Sequence, residues 1–513
     1  MDRLRRAIRC RSLVSVQVLK GEVVCAVPAC DCRQEIELHT IFELYARLYT
    51  LLDNTNYADY ESMRWSDSDG VRHALEVMRH SWEVHMEASS RPYRDHMDIR
   101  LSEETKGLFG DVIDKADSPT TLLLHLMSFL LALDEWLSEL KDEMMSFTPS
   151  EFPIRTAFGD VVPQWDSAIL RALQRNSAYE AAVDPNYLLL SKKVNNFHVA
   201  RSSYAHYEVK HQYVDLPMYA VERVAELTIG FLPGKWDLSR DYRIVTEEPI
   251  EGEDLLPFFF GNPTDEEAYN AYVTEAFTYI LKRNPDIIML PELFTPPTLR
   301  EELKAMYIAE RQRRKRERQP SRAALFLTGS YHEQEGGHVR NAAQVLTRTG
   351  NLLTTVYKMN RFILHRNKRF QEELAPFLYI DGVERNQYRR ELTLFETRWG
   401  RMAFFICVDF ITHHIERILV DRRVDIVFVM AMTPNPAGGK FIRKMQDLAE
   451  RNGTIVVVCN QYGSATAPKG KKAVRIVVSL PGYRHVFVDE SDYGVISIGD
   501  MLSYVEQKHA EKQ

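Results

Sequence analysis

Arg401-Met-Ala-Phe-Phe-Ile-Cys-Val-Asp-Phe410 is the stretch on which the reading of the chain turns. Met402 to Cys407 is mostly apolar, the text of a strand buried on both faces. A cysteine ends the run and an aspartate stands two positions later. Open α/β sheets bind ligands beyond the carboxyl ends of their strands. A thiol placed there is a candidate nucleophile, although a buried cysteine taken alone is more often core filler.

Working outward from Cys407, strands and helices alternate. Asp286 to Leu290 reads as a buried strand closed by Pro291-Glu292, and Ala324 to Ser330 as another. Asn341 to Thr347 and Leu352 to Lys358 flank the turn Thr349-Gly350-Asn351. Leu392 to Glu396, Asp425 to Met430, Thr454 to Asn460, Ser479 to Val486 and Gly494 to Ile498 complete the strand set. Helices are expected over Asp265–Lys282, Thr298–Arg318, Thr412–Asp421 and Phe441–Asn452. Alternating strands and helices with nearly all-apolar strands describe a layered α/β domain. It begins near residue 223, so the expected division is 1–222 and 223–513. The polar, acidic text from Leu232 to about Thr264 reads as an insertion.

The preceding region differs. Residues 12–28 read as a β-hairpin about Lys20-Gly21, and helical periodicity dominates from about 36 to 220. The stripes lie at His39–Leu52, Val71–Met86, Leu101–Ile113, Ser118–Met145 and Trp165–Val183. This mostly α-helical domain carries no motif that names a function, and a protein partner is the expected use.

Net charge of −7 gives no global pull toward nucleic acid or membrane. The basic run Arg311–Arg318 ends a helix without interleaved aromatics, so a nucleic-acid contact there is the weaker reading beside a solvated face. No stretch approaches the ~18 uninterrupted apolar residues of a membrane-spanning helix. Leu122–Leu133, interrupted by His125 and Ser128 and running into Asp134, reads as a core helix. The charged start of the chain lacks an apolar segment after it, which speaks against a secretory signal. Six cysteines are too few for a disulfide scaffold, and Cys30-x-Cys32 beside Cys10 and Cys25 has no second matching pair for a metal. A cytoplasmic protein with reduced thiols and no cofactor is expected.

Glu292, Lys358 and Cys407 each end or follow an apolar strand. If they meet, a carboxylate can take the thiol proton, an ammonium can stabilise an oxyanion, and the Val408 N–H can assist it. The text around the three resembles the nitrilase, or carbon–nitrogen hydrolase, superfamily. The resemblance is carried by Ile287-Ile-Met-Leu-Pro-Glu292, by Arg340-Asn341 with Thr349-Gly350 and Val356-Tyr357-Lys358, by Trp399-Gly400-Arg401 with Cys407-Val408-Asp409, and by Cys459-Asn460-Gln-Tyr-Gly463. It implies an αββα sandwich, a Glu292–Lys358–Cys407 triad, and thioester cleavage of a small amide or nitrile. It also implies a homodimer or larger homo-oligomer. An N-acyltransferase with the same triad, or a non-catalytic module in a multi-protein system, are the alternatives. Two departures stand out. The segment after Lys358 is longer than the family's, and a supporting glutamate is missing just after the lysine. Glu372 and Glu373 are the nearest candidates, and His413 is a candidate pocket residue.

Overall fold

The computed structural model describes residues 16–19, 22–25, 38–53, 76–77, 79–84, 100–117, 119–147, 153–164, 194–204, 206–216, 224–234, 241–249, 255–365, 380–386, 390–433, 436–461, 474–483 and 485–511. Two compact units emerge, one of residues 1–165 with 183–203, the other of residues 166–182 with 204–513. The expected boundary at 222/223 falls inside the second unit. The strand Glu208–Tyr213 explains this: it pairs in parallel with Glu391–Thr397, at the edge of a sheet of the C-terminal unit.

In the first unit the expected hairpin forms, with Val16–Leu19 antiparallel to Glu22–Cys25. Helices run over Ile41–Asp53, Glu103–Asp114 and Pro119–Phe147, close to the sequence reading. Ser102 caps the second, its side chain accepting the Thr105 N–H. The predominance of helix has an exception: Ile154–Thr156, Gly159–Pro163 and Phe197–Ala200 form a three-stranded sheet. These strands are too short for a period-2 pattern to show. The long helix has an 18-residue window, Thr121–Ser138, apolar enough to cross a membrane by length and composition, but 61% of it is buried in protein. Asp134 within that window is buried and accepts N–H groups from Asn195, Asn196 and Phe197 and the Tyr45 hydroxyl. Such a carboxylate ties helix to strand. The Trp165–Val183 reading, and Cys10, Cys30 and Cys32, lie outside the described residues.

The second unit is an αββα sandwich. One sheet has the order Leu352–Tyr357, His338–Thr347, Leu325–Glu335, Ile287–Met289, Thr228–Phe231, Gly494–Ser497. The other runs Phe487–Asp489, Ile476–Ser479, Ile455–Asn460, Ile426–Ala431, Gly400–Ile406, Glu391–Thr397, Glu208–Tyr213. Strand Ile287–Met289 shows why both faces must be apolar. Ile287 and Met289 join the core shared with the facing sheet, while Ile288 and Leu290 join the core formed with helices Glu266–Arg283 and Pro297–Arg316. Asp265 caps the first of these helices, and Asn284 closes it in the left-handed conformation at φ 54°.

Two expectations are corrected. The text before Thr264 contains strands Tyr242–Thr246 and Leu256–Pro263, and Leu256–Phe258 pairs in parallel with Gly382–Glu384. The two segments that read as insertions thus build one four-stranded sheet together. At the C-terminus, the span read as one strand, Ser479–Val486, bridges Ile476–Ser479 and Phe487–Asp489, and a helix follows at Ile498–Ala510 with a Ser497–Asp500 capping box.

Candidate active site

Three strand ends converge. The Ile287–Met289 strand runs through Leu290-Pro291 to Glu292, and Leu293 takes φ 52°. The Leu352–Tyr357 strand delivers Lys358. The Gly400–Ile406 strand delivers Cys407, which sits at φ 45° and opens a 3₁₀ turn closed by Phe410 N–H to Cys407 O at 3.1 Å. Positive φ in non-glycine residues is costly and collects at functional sites. Here it occurs beside the carboxyl and at the thiol.

The side chains meet. Lys358 Nζ donates to Glu292 Oε1 at 2.8 Å and to Glu384 Oε2 at 2.6 Å. All three are buried. Asn341 Nδ2 spans both carboxylates, 3.2 Å from Glu292 Oε1 and 3.0 Å from Glu384 Oε1. The Cys407 thiol donates to the Met432 carbonyl oxygen at 3.9 Å, and Glu292 acts on it electrostatically. The structure thus places Glu292, Lys358 and Cys407 at one site and adds Glu384, which the sequence reading did not name, beside the lysine. Glu372 and Glu373 lie outside the described residues. The available signal was Gly382-Val-Glu384, an acidic residue closing a short strand.

Glu384 is held more firmly than Glu292. Beyond Lys358 and Asn341, it accepts the Phe362 N–H at 3.1 Å and faces His332 Nε2 at 3.0 Å. His332 Nδ1 accepts the Phe260 N–H at 3.0 Å, which leaves Nε2 as the protonated nitrogen of a neutral ring. Burial pushes the Glu384 carboxyl up, but Lys358 and His332 outweigh it and hold the group well below the usual carboxylate range. Glu292 has fewer donors. Burial and then the neighbouring Glu384 push its carboxyl up, against the pull of Lys358. Burial disfavours the Lys358 ammonium, but two carboxylates more than restore it. Burial and Glu292 raise the Cys407 thiol. At rest the arrangement is a neutral thiol, a fixed cation, a permanent anion and a second carboxylate whose affinity for a proton is raised. That set can do nucleophilic acyl chemistry with acid–base assistance.

Residues 262–472 match the family model described as carbon-nitrogen hydrolase. The C-terminal unit carries a carbon–nitrogen hydrolase domain. No curated protein matches the chain. Among solved structures, the chain is similar to a mutant of the amidase from Nesterenkonia sp. AN1, at 16% identity and TM-score 0.32, covering 58% of this chain and 97% of that one. That structure is described as showing covalent addition of the acetamide moiety of fluoroacetamide at the active-site cysteine. It is also similar to a carbon-nitrogen hydrolase from Helicobacter pylori G27, at 14% identity and TM-score 0.32, covering 56% and 94%. Saccharomyces cerevisiae Nit3 follows at 11% identity and TM-score 0.32, covering 55% and 94%.

Two other residues of this hydrolase domain were expected at the site. Val408 is half-buried in the turn after the thiol. His413 is exposed on the first turn of the His413–Asp421 helix, its ring 6.3 Å from that of His414. Of the basic run, Arg313 lies between Glu310 and Glu317, and Arg314 is buried against Glu310 and the Leu281 and Lys282 carbonyls.

Proposed function

We propose that this domain hydrolyses a small amide or related non-peptide C–N bond through a thioester on Cys407. The observation that carries the reading is one buried ammonium shared by two carboxylates, with a buried thiol that feels the charge of the less firmly held of them. Glu292 accepts the thiol proton as sulfur adds to the substrate carbon. The Lys358 ammonium and the Val408 N–H face the developing oxyanion. Collapse of the tetrahedral species breaks the C–N bond, and the proton on Glu292 leaves with the amine. Water then adds to the thioester as Glu292 takes its proton, and C–S cleavage returns that proton to sulfur. Glu384 stays ionised throughout and keeps Lys358 charged and oriented.

Mass spectrometry of protein quenched during turnover of a panel of small amides tests this. An acyl adduct on the peptide containing Cys407, absent in Cys407→Ala, is the expected result. Turnover by Cys407→Ala, or an adduct on another residue, overturns it.

A further inference from the structure

Lys358 and Cys407 belong to different sheets, so nothing in either sheet's hydrogen-bond ladder sets their separation. The two sheets meet through side chains, which slide more easily than paired backbones. One buried side chain bridges that gap. Asp409, fully buried two residues after the thiol, accepts the Met359 N–H on Oδ2 at 2.7 Å. Its Oδ1 accepts the Asn360 N–H at 2.8 Å and Asn360 Nδ2 at 2.8 Å. Both N–H groups follow Lys358 directly. From the other side, Asn386 Nδ2 donates to the Lys358 carbonyl at 2.7 Å, while Asn386 Oδ1 accepts the Asn341 N–H at 3.1 Å. The backbone that presents the lysine is thus held on one face by the turn that presents the thiol.

We propose that Asp409 is a positioning residue, a carboxylate clasp that fixes the lysine-bearing backbone of one sheet against the cysteine turn of the other. This rests on the amide-hydrolase reading of the site and adds a regulatory property to it. Three N–H donors converge on the carboxylate, so the ionised form is the one the clasp needs; a protonated carboxyl turns one oxygen into a donor facing donors. Lys358 is the charged group that acts on it, and burial raises the carboxyl to about 7 against that cation and the N–H groups. The signs follow. The site is positioned when Asp409 is ionised, so competence rises as pH increases through about 7. Stability runs the other way, because a carboxyl raised on folding binds a proton more tightly in the native state. It favours the fold at low pH, and that contribution is lost as pH rises from near 4 through about 7.

The test uses the full chain and two readouts. The first is hydrogen exchange, by mass spectrometry, of a peptide covering Met359 and Asn360, normalised to one covering residues 401–406. Asp409→Asn should speed exchange in the former by about tenfold or more, and Glu292→Gln should leave it unchanged. Equal exchange in wild type and Asp409→Asn overturns the clasp, whatever the enzyme's substrate. The second is the rate of alkylation of Cys407 by chloroacetamide between pH 5.5 and 8.5. Wild type should show a rise centred near pH 7, and Asp409→Asn should react about tenfold more slowly with that rise removed. A wild-type alkylation rate in Asp409→Asn, despite loosened exchange, overturns the positioning role. If Asp409→Asn does not fold, Asn360→Ala removes one of the three donors and should give the same changes at smaller amplitude; no change in either readout overturns the proposal. Failure of the amide-hydrolase reading looks different: Cys407 would alkylate no faster than Cys459, while the exchange pattern held.

Discussion

The Gly400–Ile406 strand has a buried ionic cluster at each end, and the two clusters differ in what their carboxyls adjoin. At its start, Arg401 Nε donates to Glu396 Oε1 at 2.6 Å, and His211 Nδ1 meets the same oxygen at 2.6 Å. Arg401 also donates to the Arg422 carbonyl; Arg422 Nη1 lies 3.3 Å from His211 Nε2, and its Nε donates to Tyr204, which donates to Asp421. Two guanidinium groups face Glu396 and Asp421 there, with a neutral histidine between, and a third carboxyl, Asp425, accepts the Arg401 backbone N–H and is raised to about 7 by burial and by Glu396. Burial pushes Glu396 up, but Arg401 and His211 outweigh it, and the carboxyl is held at about 2. At the strand's end, two carboxylates face one ammonium, and the surplus negative charge settles on Glu292. Both clusters are dry and hydrogen-bonded. Each holds a carboxyl raised by burial and a like-charged neighbour, but only the raised carboxyl at the strand's end adjoins a thiol, and this separates a brace from a candidate reactive site.

Glu292→Gln makes the largest expected break. Loss of the acid–base group should lower kcat by about 10³–10⁴-fold. Thermal stability should stay level or rise, because Gln keeps an acceptor for Lys358 and Asn341 while the surplus charge goes. A fall in melting temperature would make Glu292 a brace like Glu396. Arg401→Met is the converse. It takes a guanidinium partner away from the buried Glu396 and should cost about 3–5 kcal/mol in urea unfolding. The folded fraction should alkylate Cys407 at the wild-type rate. The acid limb belongs to the brace as well. A depressed carboxylate stabilises the fold above its unfolded pKa, and Glu396 loses that contribution as pH falls from about 4.5 through about 2. Glu396→Gln should be less stable near neutrality and flatter over that window, as read by circular dichroism.

What the sequence made legible follows the same division. Glu292, Lys358 and Cys407 each had a bland reading alone, and were legible together because the text around all three, in order, resembles one family. The αββα arrangement came from the resemblance, while the layered α/β class was readable because strands such as Ile426–Ala431 are apolar at every position. Glu384 was not. Its strand has three residues, and its place is set by pairing with Leu256–Phe258, far earlier in the chain. Sequence reading follows local periodicity, and that register is non-local. His332 was hidden for a related reason. It lies in the long Leu325–Glu335 strand among residues that look like a solvated end, while the partners that bury it come from Phe260 and Glu384.

Glu384 and His332 set the two smaller tests. Glu384→Gln removes the permanent anion. Glu292 then becomes the sole counter-ion of Lys358 and should ionise more readily. We expect about a 10²-fold loss in kcat, with the limb of the pH–rate profile that reports Glu292 moved to lower pH. An unmoved limb would mean that Glu384 does not set the proton on Glu292.

His332→Gln should have the smallest effect and is the most specific. The imidazole accepts from Phe260 N–H with one nitrogen and donates to Glu384 with the other, its ring stacked at 3° on Phe260. Glutamine can satisfy one of these partners but not both at the ring's fixed spacing. If it keeps the bond to Phe260, Glu384 loses a donor, its carboxyl rises, and the surplus charge is shared between the two acids. The expected cost is about tenfold in kcat, equal to about 1.4 kcal/mol, with KM unchanged and the pH–rate limb broadened as two carboxyls titrate together. A loss of stability without a change in that profile would place His332 with the brace at the other end of the strand. A broadened profile in a stable protein would show that the imbalance is kept on Glu292 by a histidine that never touches the substrate.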